Sequence, residues 1–109
     1  MKEKKIKLSE TAFGSQVESL LKLYGWRYTH FRPAFTNKGY RTPLTGHKGF
    51  PDYCAVRGGR LLFIELKSED GKLSPEQQMW LDDLEEVRLI GAVRVFRPSD
   101  FETVMELLK

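Results

Sequence analysis

The 109-residue chain has one cysteine, Cys54, and two histidines, His30 and His47. A lone cysteine excludes an intrachain disulfide and a Cys-rich zinc site, and it agrees with a reducing compartment. The histidines have no partner at metal-ligand spacing, so surface roles facing solvent or a binding partner fit them better than zinc binding. No apolar run approaches the ~18 residues of a membrane span, and Met1 to Leu8 is Lys-rich without the apolar stretch of a secretion signal. An intracellular, cytoplasmic protein with no membrane role is expected. Repeats, low-complexity tracts and linkers are also missing, so residues 1–109 read as one domain, with 1–8 as a basic arm. What is present, 40% hydrophobic, 12% aromatic and 30% charged residues, excludes a disordered tail.

Acidic charge is scarce in one half of the chain. Residues 1–60 carry 12 Lys and Arg against 4 Asp and Glu, whereas residues 61–109 carry 6 against 11. The net charge of +3 therefore hides a basic half and an acidic half. Basic charge concentrated this way points to an anionic partner, nucleic acid above all; a solvated basic face is the plainer explanation.

Residues 10–24 read as a helix. Phe13, Val17, Leu20, Leu21 and Tyr24 form one apolar stripe, Ser9 or Thr11 serves as N-cap, and Gly25 follows the last turn. Trp26 to Phe31 reads as a strand. Residues 32–51, dense in proline and glycine, read as a long loop, a length that is usually functional. Its Arg32, Lys38, Arg41, His47 and Lys48, interleaved with Phe35 and Tyr40, are candidates for contacting phosphates and bases. Asp52 to Arg57 and Arg60 to Lys67 read as a hairpin about Gly58-Gly59. Ser74-Pro75-Glu76-Gln77 opens a helix with a capping box, carrying Trp80, Leu81, Leu84 and Val87 on one face and stopping at Gly91. Ala92 to Phe96 is a last strand, and Ser99 with Glu102 starts a final helix. Both faces of the central strands are apolar, Cys54, Val56, Leu61 and Phe63 on one and Ala55, Leu62, Ile64 and Leu66 on the other, so helices should cover both. The fold class is α/β.

Counting outward from the turn, Arg57 meets Arg60, Cys54 meets Phe63 and Asp52 meets Glu65. Asp52 and Glu65 then share a face with Cβ atoms ~5 Å apart, and Lys67 lies diagonal to Asp52 at ~7 Å. Two carboxylates so placed repel by ~3 kcal/mol at an effective dielectric of ~20, so something positive must offset them. Lys67 does so in part, as an internal salt-bridge cluster. A Mg²⁺ ion does it better, because it takes one or two carboxylates and completes its shell with water and phosphate oxygens. Such a set, placed where the basic half meets the acidic one, is the minimum for metal-assisted phosphodiester hydrolysis.

Gly49-Phe50-Pro51-Asp52 followed by Glu65-Leu66-Lys67 resembles the Pro-Asp…(Asp/Glu)-x-Lys signature of the restriction-endonuclease-like nucleases. With Leu73-Ser74-Pro75-Glu76-Gln77 running into Trp80-Leu81, then Gly91 and Val95, the chain is most similar to the VRR-NUC family, in order from about Ser9 to Phe96. The resemblance implies an αβββαβ(α) core with a central mixed sheet flanked by helices. It implies Asp52 and Glu65 as metal-binding acids, the Leu66 carbonyl as a further ligand, and Lys67 as the catalytic lysine. Glu18 matches the helix-1 acid that reaches the metal directly or through water; an ordinary exposed glutamate is the alternative. Gln77, turned toward the sheet, matches a residue that orients water or phosphate, a role compatible with its capping box. Short chains of this kind are similar to stand-alone phage and bacterial members, which implies a homodimer cutting branched DNA such as four-way junctions with Mg²⁺ or Mn²⁺.

Cys54 and Trp80 read most simply as core residues. The run Lys2, Lys4, Lys5, Lys7 fits a phosphate-binding arm or a solubilising tail equally. A two-fold dimer presents two sites to two symmetric strands, so junction resolution predicts a homodimer. A flap, nick or duplex nuclease working with a partner, and a catalytically silent nucleic-acid-binding module, are the rival readings.

Overall fold

The computed structural model describes residues 7–31, 34–36, 39–41, 44–87 and 92–109. Helix α1 (Glu10–Leu23) starts at Ser9, whose hydroxyl accepts a hydrogen bond from the Ala12 N–H at 3.1 Å. Gly25 takes the positive φ of +74° that follows its last turn. Strand β1 (Arg27–His30) leads to a short ladder of β2 (Ala34–Thr36) and β3 (Gly39–Arg41). Then come β4 (Tyr53–Arg57), β5 (Arg60–Leu66), α2 (Pro75–Glu85), β6 (Ala92–Phe96), a 3₁₀ turn (Pro98–Asp100) and α3 (Phe101–Leu108).

The main sheet has the order β1-β4-β5-β6, antiparallel except for the parallel β5–β6 pair, which α2 connects. It is a mixed sheet of four strands flanked by helices. Gly58 and Gly59, at φ +52° and +81°, close the tight turn that pairs Arg57 with Arg60 and Tyr53 with Ile64. Tyr53, Ala55, Leu62, Ile64 and Leu66 pack with Phe13, Val17, Leu20 and Leu21 of α1 and Val104 and Leu108 of α3 into the core.

Four expectations are corrected. The stretch 32–51 is not loop throughout, because β2 and β3 pair within it. The helix after Ser74 ends at Glu85, well short of Gly91, and Val87 is half exposed. Ser99 does not cap the last helix; its hydroxyl donates to the Glu69 carboxylate at 3.2 Å, and α3 begins after the 3₁₀ turn. Cover of the second sheet face is partial, since Val56 is 42% exposed and α2 buries only Leu81 fully.

The end of the sheet opposite Asp52 is closed by arginines. Arg57 donates to the carbonyls of Tyr24 at 3.0 Å and of Leu108 and Lys109 at 2.9 Å, and Arg60 donates to Leu107 at 3.1 Å. Both guanidinium groups lie over Trp26, whose indole N–H also donates to Leu108. One cation thus ties the ends of α1 and α3 to the hairpin. Arg57→Ala is expected to cost about 2 kcal/mol in urea unfolding, the scale of charge-assisted hydrogen bonds.

Candidate active site

Asp52 immediately precedes β4, one step beyond the Tyr53–Ile64 pair, and so stands opposite Glu65. Its position is held twice. Its carbonyl accepts from the Phe31 N–H and its carboxylate from the Leu66 N–H, both at 2.9 Å. Lys67 follows the last residue of β5, its own N–H bonded to the Phe96 carbonyl at 3.1 Å.

Glu65 is the buried charged residue of the core, 1% exposed. Burial raises its carboxyl from 4.5 to about 8; the Asp52 charge and a hydrogen bond to Asp52 push the same way, and Lys67 works against them. One of its oxygens, Oε1, accepts from the Gln77 side-chain amide at 3.1 Å. The other, Oε2, is buried and receives no N–H or O–H donor among the described residues; the hydrogen bond with Asp52 requires that one of the two carboxyls carry a proton. A buried carboxylate oxygen so placed is costly unless a proton or a cation takes it up.

Gln77 performs two tasks at once. Its side-chain oxygen accepts from the Ser74 N–H at 2.9 Å, its backbone N–H donates to the Ser74 hydroxyl at 3.1 Å, and its amide nitrogen is left for Glu65. Capping and holding the acid are therefore simultaneous. Gly49, at φ +96°, lets the preceding loop lie against this helix start: a Cβ there would sit 2.7 Å from the Glu76 carbonyl carbon and 2.8 Å from the Gln77 nitrogen. Phe50 packs edge-on to Phe31, Phe63 and Trp80, and the Trp80 indole donates to the carbonyls of His47 and Lys48.

A cleft of about 670 Å³ opens beside Asp52, lined by Glu10, Glu18 and His30 among others. Glu18 lies 3.8 Å from the His30 ring nitrogen, and His30 stacks on Tyr53. A second α1 acid, Glu10 in the first turn, has a charge that reaches the central pair. Burial and then the Asp52 charge raise its carboxyl, Lys67 opposes, and Glu10 in turn adds to the rise at Glu65. Sequence reasoning passed over Glu10. The signal was present: counting back from Leu21 through Val17 and Gly14, all buried, reaches Glu10, the exposed first residue of the same line.

The structure thus brings together Asp52, Glu65, Lys67 and Gln77, with Glu10 beside them and Glu18 farther along the same cleft. Among the described residues no three carboxylate, imidazole or thiol groups form a metal cage. His47 and Lys48 lie on the loop across α2, on the far side of Gly49. Arg32 and Lys38 lie outside the described residues, as do Lys2, Lys4 and Lys5, and Arg41 falls in β3. Lys7 pairs with Asp70. No helix among the described residues is long and apolar enough to cross a membrane.

A mixed sheet with helices on both faces, and Asp, Glu and Lys at the ends of its two central strands, is a restriction-endonuclease-like core. The model of the VRR-NUC domain matches residues 40–96, more than half of the chain, and the chain belongs to that family. It is a nuclease domain, which implies DNA binding. The matched stretch holds Asp52, Glu65, Lys67 and Gln77, while α1 lies before it. Neither the curated proteins nor the solved structures yield a significant match.

Proposed function

We propose that the protein is a Mg²⁺- or Mn²⁺-dependent endonuclease for branched DNA, with the four-way junction as preferred substrate and a homodimer as the working unit. The observation that carries the metal reading is the buried Glu65 oxygen that no donor reaches, on a residue within the electrostatic reach of a second carboxylate and a lysine. Asp52 and Glu65 would hold the ion, with the Leu66 carbonyl and a helix-1 acid, Glu10 or Glu18, as further or water-bridged ligands. Two carboxylates suit an ion that keeps water and phosphate oxygens in its shell. When bound, it would polarise the phosphate and make a better nucleophile of water.

The chain's own groups do the rest. The Leu66 N–H fixes one Asp52 oxygen, and the other is left to Glu65 or to an ion that takes the place of their shared proton. Gln77 fixes one Glu65 oxygen and leaves Oε2 without a donor. The Lys67 ammonium positions the attacking water or offsets charge developing on the phosphate. An acid pair of this kind has no use in a protein that only binds DNA, since it repels phosphate.

Junction preference and dimerisation rest on size. One domain of 109 residues has little surface for a four-armed substrate, whereas a two-fold pair meets two symmetric strands with two sites. The test is cleavage of four-way, flap, nicked and linear DNA with Mg²⁺, Mn²⁺ or EDTA, with sedimentation at the same concentration. Junction cutting that EDTA abolishes, by a dimer, is expected. Equal cutting of linear duplex removes the junction preference, and cutting that persists in EDTA removes the metal. Lys67→Ala is expected to slow single-turnover cleavage by about 10²–10³-fold, comparable with removing one transition-state donor. A rate within a factor of three of the wild type would take Lys67 out of the reaction.

A further inference from the structure

On the far side of the Gly49 loop from the acids, a second groove of about 430 Å³ lies between that loop and α2. We propose that it receives one unpaired nucleobase bearing an amino group, adenine, cytosine or guanine, next to the phosphate that is cut. The inference rests on the nuclease reading and adds to it a site for substrate recognition.

The groove has the size of a small-ligand site and a wall suited to a flat ring. Met79 is 65% exposed, a large apolar side chain left to solvent on the outer face of α2. Beside it stands Trp80. Its N–H is occupied by the carbonyls of His47 and Lys48 at 3.2 and 3.1 Å, and its ring is held by Phe50 at 4.9 Å, so the indole forms a rigid surface. A polarizable thioether and a fixed indole are the contacts an aromatic base takes up.

The charges choose between base and phosphate. Glu76 and Asp83 line the groove, and Lys48 is paired with Glu76 at 3.7 Å. A groove meant for phosphate would not carry two carboxylates against one engaged lysine. A carboxylate does accept from the amino groups of cytosine, adenine and guanine, which thymine lacks. Asp83, a little under two turns beyond Glu76, is the acceptor at the far end. Stacking inside a groove also requires that the base leave its own stack, which costs least where it is already unpaired.

Position links the groove to the reaction. Glu76 faces the groove, and its neighbour Gln77 holds Glu65. At ~1.5 Å of rise per residue, Trp80 stands one turn, ~5 Å, beyond Gln77, within reach of a nucleotide next to the cut.

The test uses the full chain and branched DNA carrying 2-aminopurine, thymine or an abasic sugar at each position flanking the cut. In EDTA, binding is expected to quench 2-aminopurine at one position only, and M79A and D83A are each expected to reduce that quenching. In Mg²⁺, the wild type is expected to cut about tenfold more slowly when that position is abasic, the lower end of what one base–aromatic stack contributes. Thymine should fall between the two. M79A/D83A should cut the base-bearing substrate at the slower rate that the wild type shows on the abasic one. DNA that binds without quenching, or cleavage indifferent to the base at every position, overturns the groove and leaves the nuclease reading standing. Quenching that M79A and D83A alter, in a protein that cuts no DNA with either metal, supports the groove and overturns the nuclease reading.

Discussion

Glu65→Gln is expected to raise the melting temperature of the metal-free protein at pH 8 by several degrees and to abolish DNA cleavage. The carboxyl of Glu65 ionises at about 8 in the fold against 4.5 when free of it, chiefly because it is buried. Between those values the folded chain holds a proton that the unfolded chain has lost. Stability therefore falls as pH rises through that window, by up to about 1.4 kcal/mol for each pH unit. Glu10, shifted in the same direction, adds to the slope. Glutamine keeps the shape and an oxygen for the Gln77 amide, and its own amide can donate to Asp52, so the variant should lose most of the slope. Melting curves in EDTA from pH 5.5 to 8.5 make the comparison. Parallel curves for the two proteins would mean that Glu65 is ionised throughout and that burial does not govern it. Adding Mg²⁺ should stabilise the wild type most at the alkaline end, because an ion takes the place of the proton, and should leave Glu65→Gln unchanged.

Gly49→Ala is expected to be the most damaging Gly→Ala change among the described residues. At φ +96° a side chain costs about 1–3 kcal/mol in backbone strain alone. The added carbon would also lie 2.7 Å from the backbone of Glu76, and neither side can yield cheaply: the loop is held by Trp80 and Phe50, the helix start by Ser74 and Gln77. Relief must come from moving the first turn of α2, and with it the amide that holds Glu65. Loss of more than about 3 kcal/mol in urea unfolding, together with loss of cleavage, is the expected result. Gly25→Ala is the control, since its φ is also positive but nothing lies within 4 Å of the added carbon. Equal losses in the two variants would show that conformation alone, and not the contact with α2, sets the cost.

The centre of the fold was legible because its signals are local. Two glycines at the turn set the register from Arg57–Arg60 outward, and with it the meeting of Asp52 and Glu65. Ser74 and Gln77 marked the start of α2 on capping chemistry alone. Its end was misread because the apolar period continues to Val87, while electrostatics stops the helix earlier. Asp82, Asp83, Glu85 and Glu86 crowd the negative end of the helix dipole, and the last turn has no basic residue. The β2–β3 ladder escaped notice because three-residue strands carry too little alternation to stand out among prolines and glycines.

Within the site, Asp52, Glu65 and Lys67 followed from register, whereas Glu10 and Glu18 needed the third dimension. Glu18 adjoins the apolar stripe of α1, and this drew attention to it. Glu10 sits in the first turn, where an acid is expected from the helix dipole, and that ordinary explanation hid its line of sight to Asp52. Trp80 reads from sequence as core; in the fold it is half buried, one edge packed and one wall open to the groove.

If Asp52 and Glu65 hold an ion as proposed, Gln77 couples local order to its affinity. Because one amide both closes the first turn of α2 and steadies Glu65, fraying of that turn frees the acid to swing, and an ion that needs the acid in place must oppose the fraying. Such coupling is reciprocal: whatever free energy the helix start contributes to holding an ion, the ion returns to the helix start. Seven residues of chain between Lys67 and Pro75 join the strand that supplies the acid to the helix that steadies it, so occupancy of the site would set the amplitude of motion of this segment as well as the chemistry.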